Sequence, residues 1–380
     1  MKVTYILAVN WGAVPTITAE LANAASQYVD VVVLKPKDDL NYLFSENVQV
    51  MDIFEPLRFD RSNVMSVLSP MNFKGVLSYS KLKKIDELKP DIIVLQEIYP
   101  HCGLFFWLFR FHKKYPTIYN ACTAFDHIFI RTDSIIFSTL ASLNEVVKRL
   151  IFPEKIIVQR EETKKILIKR GIRPEKIAII PHGVSKVKFH QENDENRVLL
   201  FGNLIPDKGI KYFIEAVQIA SREIPIIGVI AGSGNFSRYR KYIKHPNLFE
   251  IHNRYIREEE IQKFFSSSKI VVLPYLSDNP KSGGHSGVLS LAFSFCKPVI
   301  VSNLEKFLEL VDDGKEGYIV PQRDSKALAD AMVKILRNKE LRADMRINVL
   351  KKAQKLQWEN MAKLHVKIYE ETLNEWRQRI

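Results

Sequence analysis

Short β-branched runs alternate with longer amphipathic stretches along this chain, break off at a polar stretch, and then begin again. The first series runs Val3 to Val9, Val29 to Leu34, Asp91 to Leu95, Thr117 to Tyr119, Lys155 to Val158 and Lys176 to Ile180. Apolar runs of this length read as strands buried on both faces, and their alternation with helical periods predicts a parallel α/β layer. After Lys186 to Asn196 the rhythm restarts with Val198 to Phe201, Ile226 to Ala231, Leu248 to Ile251, Ile270 to Leu273 and Pro298 to Val301. Two Rossmann-like halves follow, joined near residue 190. The length of 380 residues agrees, because one hydrophobic core rarely grows past about 250–300 residues.

The tail is helical in pattern. After a last strand, Gly317 to Val320, the stretches Asp324 to Arg337, Glu340 to Leu356 and Trp358 to Arg379 carry apolar residues at three and four spacing. Ligands of open α/β sheets gather beyond the carboxyl ends of the strands, so two facing sheets are expected to build a site in the cleft between them.

Composition removes several alternatives. With 46% hydrophobic and 26% charged residues, the chain lies far from the disordered class. Cys102, Cys122 and Cys296 lie apart without C-x-x-C spacing, which predicts buried free thiols in a reducing compartment. The run Val3 to Val9 gives way to Asn10 where a signal peptide would continue, and Gly103 to Phe109 is too short to span a bilayer. A cytoplasmic protein, soluble or peripheral on the inner membrane face, is expected.

The net charge of +13 points to anionic partners without choosing among them. The excess is densest between about Phe105 and Lys188, where a solvated helix face accounts for it equally well. No RRM aromatic pair or zinc knuckle accompanies it, so no nucleic-acid partner is expected and a nucleic-acid-binding module remains a distant alternative. The run Leu104 to Lys114 sets aromatics beside cations, as helices at a membrane surface do. An anionic membrane face is the expected partner there, and burial of the same aromatics in the core is the alternative.

Three loops carry candidate chemistry. In Phe201-Gly202-Asn203-Leu204-Ile205-Pro206-Asp207-Lys208-Gly209, a strand runs into a helix beginning near Ile210. Gly202 permits close backbone approach and Lys208 is a compact charge suited to phosphate oxygens at a helix N-terminus, so the loop reads as a diphosphate seat. A plain βα turn, with Gly209 as hinge and Lys208 in solvent, competes with that assignment. In Leu273-Pro274-Tyr275 through Gly283-Gly284-His285-Ser286-Gly287-Val288, Ser286 is a suitable N-cap, and Gly287 and Val288 would offer free amides to an anion. A capped core helix, Val288 to Cys296, is the competing account. Ala231-Gly232-Ser233-Gly234 is weak alone, as is Asn10-Trp11-Gly12-Ala13, whose single glycine is expected to shape the ligand pocket from the opposite domain.

In this order and combination the pieces resemble the retaining GT-B glycosyltransferases of family 4, strongly across the C-terminal half and faintly across the N-terminal half. Pro181-His182-Gly183-Val184 looks like the family's P-x-G-V element, Phe201 to Gly209 like its donor loop ending K-G, and Trp358-Glu359-Asn360 like the entry of its closing helix. Pro274-Tyr275 with Ser286-Gly287-Val288 resembles a subgroup that carries P-Y and S-G-V. The resemblance implies a GT-B fold: residues 1–185 as an acceptor-binding domain, 196–352 as a nucleotide-sugar-binding domain, and 353–380 as a helix crossing back to the first. It implies a hexosyltransferase-type enzyme that moves a sugar from a nucleotide sugar to a glycan or lipid-linked saccharide acceptor, with no cofactor and no metal. Lys208 would neutralise the donor diphosphate. Gly202, Asn203, Gly232, Gly234, Gly284, His285 and the amides of Ser286 to Val288 would contact the donor, and Tyr255-Ile256 would line its base pocket.

The departures bear on the same site. Two family glutamates, eight positions apart around Gly283 to Leu291, are missing, as is the arginine that often accompanies the phosphate lysine, where Asn203 and Ile205 stand. The family's T-x-H-D is replaced by Tyr119-Asn120-Ala121-Cys122, and the nearby pair Asp126-His127 is the candidate catalytic couple, with His101 second. A GT-B fold also serves sugar-nucleotide epimerases and sugar phosphorylases, and the thinning of glutamates argues against an epimerase.

Overall fold

The structure, a computed structural model, describes residues 1–10, 13–57, 70–97, 100–121, 151, 153–188, 194–276 and 285–379. Gly12, Cys122, Asp126, His127 and Gly284 lie outside the described residues.

The apolar runs form two parallel sheets. The first contains β1 (Lys2–Leu7), β2 (Asp30–Pro36), β3 (Val48–Phe54), β4 (Ile92–Gln96), β5 (Thr117–Ala121), β6 (Lys155–Val158) and β7 (Ile177–Ile179), in the order β3-β2-β1-β4-β5-β6-β7. The second contains β8 (Arg197–Phe201), β9 (Ile227–Ala231), β10 (Phe249–His252), β11 (Ile270–Leu273), β12 (Val299–Ser302) and β13 (Gly317–Val320), in the order β10-β9-β8-β11-β12-β13. Every ladder among them is parallel. In each sheet the winding reverses beside the first strand, at β1/β4 and at β8/β11, which is where doubly wound sheets take ligands.

One strand corrects the reading by continuous apolar runs. β3 mixes Val48, Val50 and Ile53 with Gln49 and Asp52, and most of its side chains are only half-buried, because it is an edge strand with only part of its surface covered. Each sheet has its own core. One gathers Ile6, Leu34, Ile93, Tyr119 and Val158, and the other Leu200, Ile214, Ile230, Val272 and Met332. The chain divides into two compact units, Met1–His182 with Trp358–Ile380, and Gly183–Asn279 with His285–Gln357.

The last helix, Trp358–Arg377, belongs to the first unit and packs on the helix Val14–Ala25. The Tyr5 and Tyr369 hydroxyls share a buried 3.1 Å hydrogen bond, and Arg377 pairs with Asp91 at 3.3 Å. At the helix entry the Trp358 ring meets the His182 ring at 5.3 Å. His365 is fully buried on this helix, and that burial pulls its imidazole down to about 4, so it is neutral at physiological pH.

The run from Leu104 to Lys114 divides between its two alternatives. Phe106 and Phe111 are in the core with Phe105 and Phe109 packed against them, whereas Leu104, Trp107 and Leu108 are exposed. Among the described residues no helix is long and apolar enough to cross a membrane. Cys102 and Cys296 are buried free thiols, and burial pushes the Cys102 thiol up to about 12, which removes its nucleophilic form.

Candidate active site

The carboxyl ends of β8, β11 and β12, three adjacent strands of the second sheet, carry the loops that matter. The loop after β8 rests on the glycine pair after β9. A Cβ on Gly232 would lie 1.8 Å from the Gly202 carbonyl oxygen, and one on Gly234 would lie 2.5 Å from that of Leu204. The Gly202 amide donates to Ala231 at 3.0 Å and the Leu204 amide to Ser233 at 2.8 Å. Gly232 and Gly234 are thus the bed of the candidate donor loop, with their Cβ positions filled by protein.

Beyond the turn Pro206–Lys208, Gly209 adopts a left-handed φ of +66° and starts the helix Ile210–Ala220. Its Cα passes so close to the loop after β11 that a Cβ would sit 1.8 Å from the Pro274 carbonyl oxygen. The Leu276 amide donates to Asp207 at 2.9 Å. These contacts clamp the two loops together and deliver Lys208 to Tyr275, with Nζ 3.6 Å from the ring centroid. Cation–π contact of this kind holds an ammonium without neutralising it. Among the described residues Lys208 makes no ion pair.

Tyr275 is the hub of the site, and sequence reasoning gave it no role beyond a motif. Its hydroxyl shares a 3.2 Å hydrogen bond with the Ser286 hydroxyl, and its ring meets Phe307 edge-on at 5.2 Å. Lys306, on the short helix Glu305–Leu308 after β12, places its Nζ 5.3 Å from the same centroid.

Ser286 corrects one expectation. It occupies the N-cap position of the helix Gly287–Ser294, and its carbonyl accepts from Leu289 and Ser290 at 2.9 and 3.1 Å. Its side chain, however, makes no capping bond, because the hydroxyl is engaged with Tyr275. The amides of Gly287 and Val288 have no acceptor among the described residues, and open space surrounds the Gly287 Cβ position. First-turn amides left this way carry the positive end of the helix dipole and suit an anion. Val288 Cγ2 lies 3.3 Å from the Gly202 Cβ position, so the helix mouth abuts the loop after β8.

The structure therefore brings Lys208 and Ser286 onto Tyr275 and sets Val288 against Gly202, with Asn203 exposed. His285 pairs through Nε2 with Glu309 at 3.1 Å, a partner the sequence did not suggest. Tyr255 is exposed and Ile256 buried in the loop after β10, the edge strand on the other side of β9.

In the first unit, Glu97 was missed because a single acid after an apolar run looks like an ordinary strand end. It follows β4 with a left-handed φ of +59°, is 4% exposed, and accepts a 3.2 Å hydrogen bond from the Tyr119 hydroxyl. A non-glycine residue in that region costs about 1–2 kcal/mol. Beside it the Asn120 side-chain amide donates to the Gln96 side-chain oxygen at 3.0 Å.

The family described as glycosyl transferases group 1 matches residues 185–352. The uncharacterized glycosyltransferase MJ1178 of Methanocaldococcus jannaschii is 25% identical over 194 residues, which cover 51% of this chain and 53% of that protein. The chain thus spans about half the length of the curated relatives it matches. Sucrose-phosphate synthase from Thermosynechococcus elongatus superposes with a TM-score of 0.72 at 17% identity, covering 99% of this chain and 100% of that one. HepE of Anabaena, solved in complex with UDP-glucose, superposes at 0.67 with 15% identity and coverage of 99% and 100%. The chain has the GT-B fold, two parallel-sheet Rossmann-like domains, and its second half carries a glycosyl transferases group 1 domain.

Proposed function

We propose that this chain is a retaining, metal-independent glycosyltransferase of family 4 that moves a sugar from a nucleotide diphosphate donor to a glycan or lipid-linked acceptor. The observation that carries it is the convergence on Tyr275 of a lysine without an ion-pair partner among the described residues and a helix whose first amides are open. A donor diphosphate seated there meets an ammonium and aligned amides, so the negative charge that grows on the leaving group as the anomeric bond breaks is stabilised in place. The acceptor oxygen then bonds to the anomeric carbon on the face the leaving group vacates, and its proton passes to the departing diphosphate oxygen. Asp126 and His127 are proposed to contact the donor sugar, Gly12 to shape its pocket, and Tyr255-Ile256 to line the base. UDP-glucose in the HepE complex makes a uridine diphosphate sugar the first donor to try.

The first unit is proposed to bind the acceptor. The helices Pro70–Ser78 and Pro100–Leu108 both pack on the turn Tyr79–Lys83, and they leave Phe73, Leu77, Leu104, Trp107 and Leu108 exposed near Lys81 and Lys83. Exposed apolar side chains on helices that adjoin a lysine-bearing turn suit a cytoplasmic enzyme resting on an anionic membrane face.

The test is a panel of nucleotide sugars incubated with saccharide and lipid-linked saccharide acceptors, with the product anomer read by NMR. A product that keeps the donor's anomeric configuration, formed in the presence of a chelator, supports the proposal. An isomerised donor without acceptor, or phosphorolysis alone, would make the protein an epimerase or a phosphorylase.

A further inference from the structure

The sequence leaves the donor diphosphate with a single cation, because no arginine accompanies Lys208 in its loop. We propose that Lys306 is the second cation of the diphosphate seat, an inference that rests on the donor site proposed above. The observation is that Lys306 and Lys208 share one aromatic ring, with ammonium groups 5.3 and 3.6 Å from the Tyr275 centroid. They come from loops after β12 and β8, the strands on either side of β11, which carries Tyr275 at its end.

Packing fixes this position. Phe307, next to Lys306, is fully buried and meets Tyr275 edge-on at 5.2 Å, so the short helix Glu305–Leu308 is anchored to the same ring. Lys306 itself is 7% exposed, which means its stem is held by protein and the ammonium is set in advance. Tyr275 in turn is tied through its hydroxyl to Ser286 at the mouth of the helix Gly287–Ser294. Both ammonium groups lie against the Tyr275 ring, so an anion seated there beside the open amides meets positive charge from two loops. A diphosphate, with charge on two phosphoryl groups, has the form to engage both cations, which a monophosphate lacks.

The roles differ accordingly. Lys208 is half-buried and Lys306 is nearly enclosed, so Lys306 is the more fixed of the two charges. Its position lay outside every motif because it belongs to a different strand and loop from the donor lysine.

The experiment uses the full chain in four forms: wild type, Lys306→Met, Lys306→Arg and Lys208→Met. Binding of UDP, UMP and inorganic pyrophosphate is measured by calorimetry, with melting temperature followed in parallel. Methionine keeps the apolar stem and removes the charge. The expected result is that K306M weakens UDP and pyrophosphate by about tenfold or more, the loss of one charge-assisted contact, and changes UMP far less. K306R should restore most of the lost affinity, and K306M should melt as the wild type does. Loss of diphosphate binding in K208M with K306M unchanged overturns the assignment to Lys306 and leaves the donor site standing. An equal loss of UDP and UMP in K306M, with a lowered melting temperature and no rescue by arginine, makes Lys306 a structural residue and also overturns it. Wild-type protein that binds neither UDP nor any nucleotide sugar of the wider panel removes the donor site itself.

Discussion

Gly209→Ala tests whether the donor loop is held as described. At φ +66° an L side chain is strained by about 1–2 kcal/mol, and here strain is the smaller part. The new Cβ would sit 1.8 Å from the Pro274 carbonyl oxygen and 2.8 Å from its carbon, where ordinary contact starts at 3.4 Å. Both are backbone atoms leading into Tyr275, so they cannot rotate away, and overpacking of that sort adds about 1–3 kcal/mol. A total of roughly 2–5 kcal/mol, at about 2–4 °C per kcal/mol for a domain of this size, lowers the melting temperature of the second unit by about 4–20 °C. Two controls separate the causes. Gly171→Ala carries a left-handed φ of +87° with open space around it, so only the conformational cost of about 1 kcal/mol applies. Gly287→Ala has open space and no left-handed φ, and is expected to stay within about 0.5 kcal/mol. Thermal denaturation of the three variants, each with and without UDP, gives the ranking. Gly209→Ala melting with Gly287→Ala would refute the clamp between the loops after β8 and β11.

Three further outcomes are expected. Lys208→Ala should lower kcat/KM for the donor by about a hundredfold, the usual cost of removing one donor to a charge that grows in the transition state, and near-normal kinetics would remove the phosphate assignment. His365 is buried neutral with its imidazole drawn down to about 4, so the unfolded chain binds a proton that the folded chain refuses between pH 4 and 6.5. Its contribution is full above about pH 6.5 and is lost on acidification, roughly 2 kcal/mol from pH 7 to pH 5, and His365→Leu should flatten that slope in urea denaturation. Replacing exposed Phe73 and Leu108 together by serine should abolish flotation with anionic vesicles at unchanged melting temperature, and wild-type protein that stays unbound at low salt contradicts the membrane surface.

Much of the fold was legible because buried parallel strands are written as continuous Val and Ile runs, such as Ile92–Gln96 and Ile270–Leu273. β3 was not, since an edge strand is only partly covered and its apolar run is interrupted by Gln49 and Asp52. The turn after β8 was legible at Gly202 and Gly209, whose left-handed φ values call for glycine. The glycine pair Gly232 and Gly234 was visible, but its purpose was not, because what fills the space over a glycine depends on a neighbouring strand. The Ser286 side chain was misread as a cap for a similar reason, its hydroxyl having a better-placed partner in Tyr275. Lys306, Glu309 and Glu97 were invisible, since each acquires its role from a residue on another loop or strand.

The central claim is that the second unit seats a donor diphosphate between Lys208 and the mouth of the helix Gly287–Ser294. A crystal structure of the full chain with the nucleotide diphosphate that a thermal-shift panel selects tests it most directly. Phosphate oxygens about 3 Å from Lys208 Nζ and from the Gly287 and Val288 amides are the expected result. A nucleotide bound elsewhere, with Lys208 still stacked on Tyr275 and the helix mouth unvisited, would contradict it.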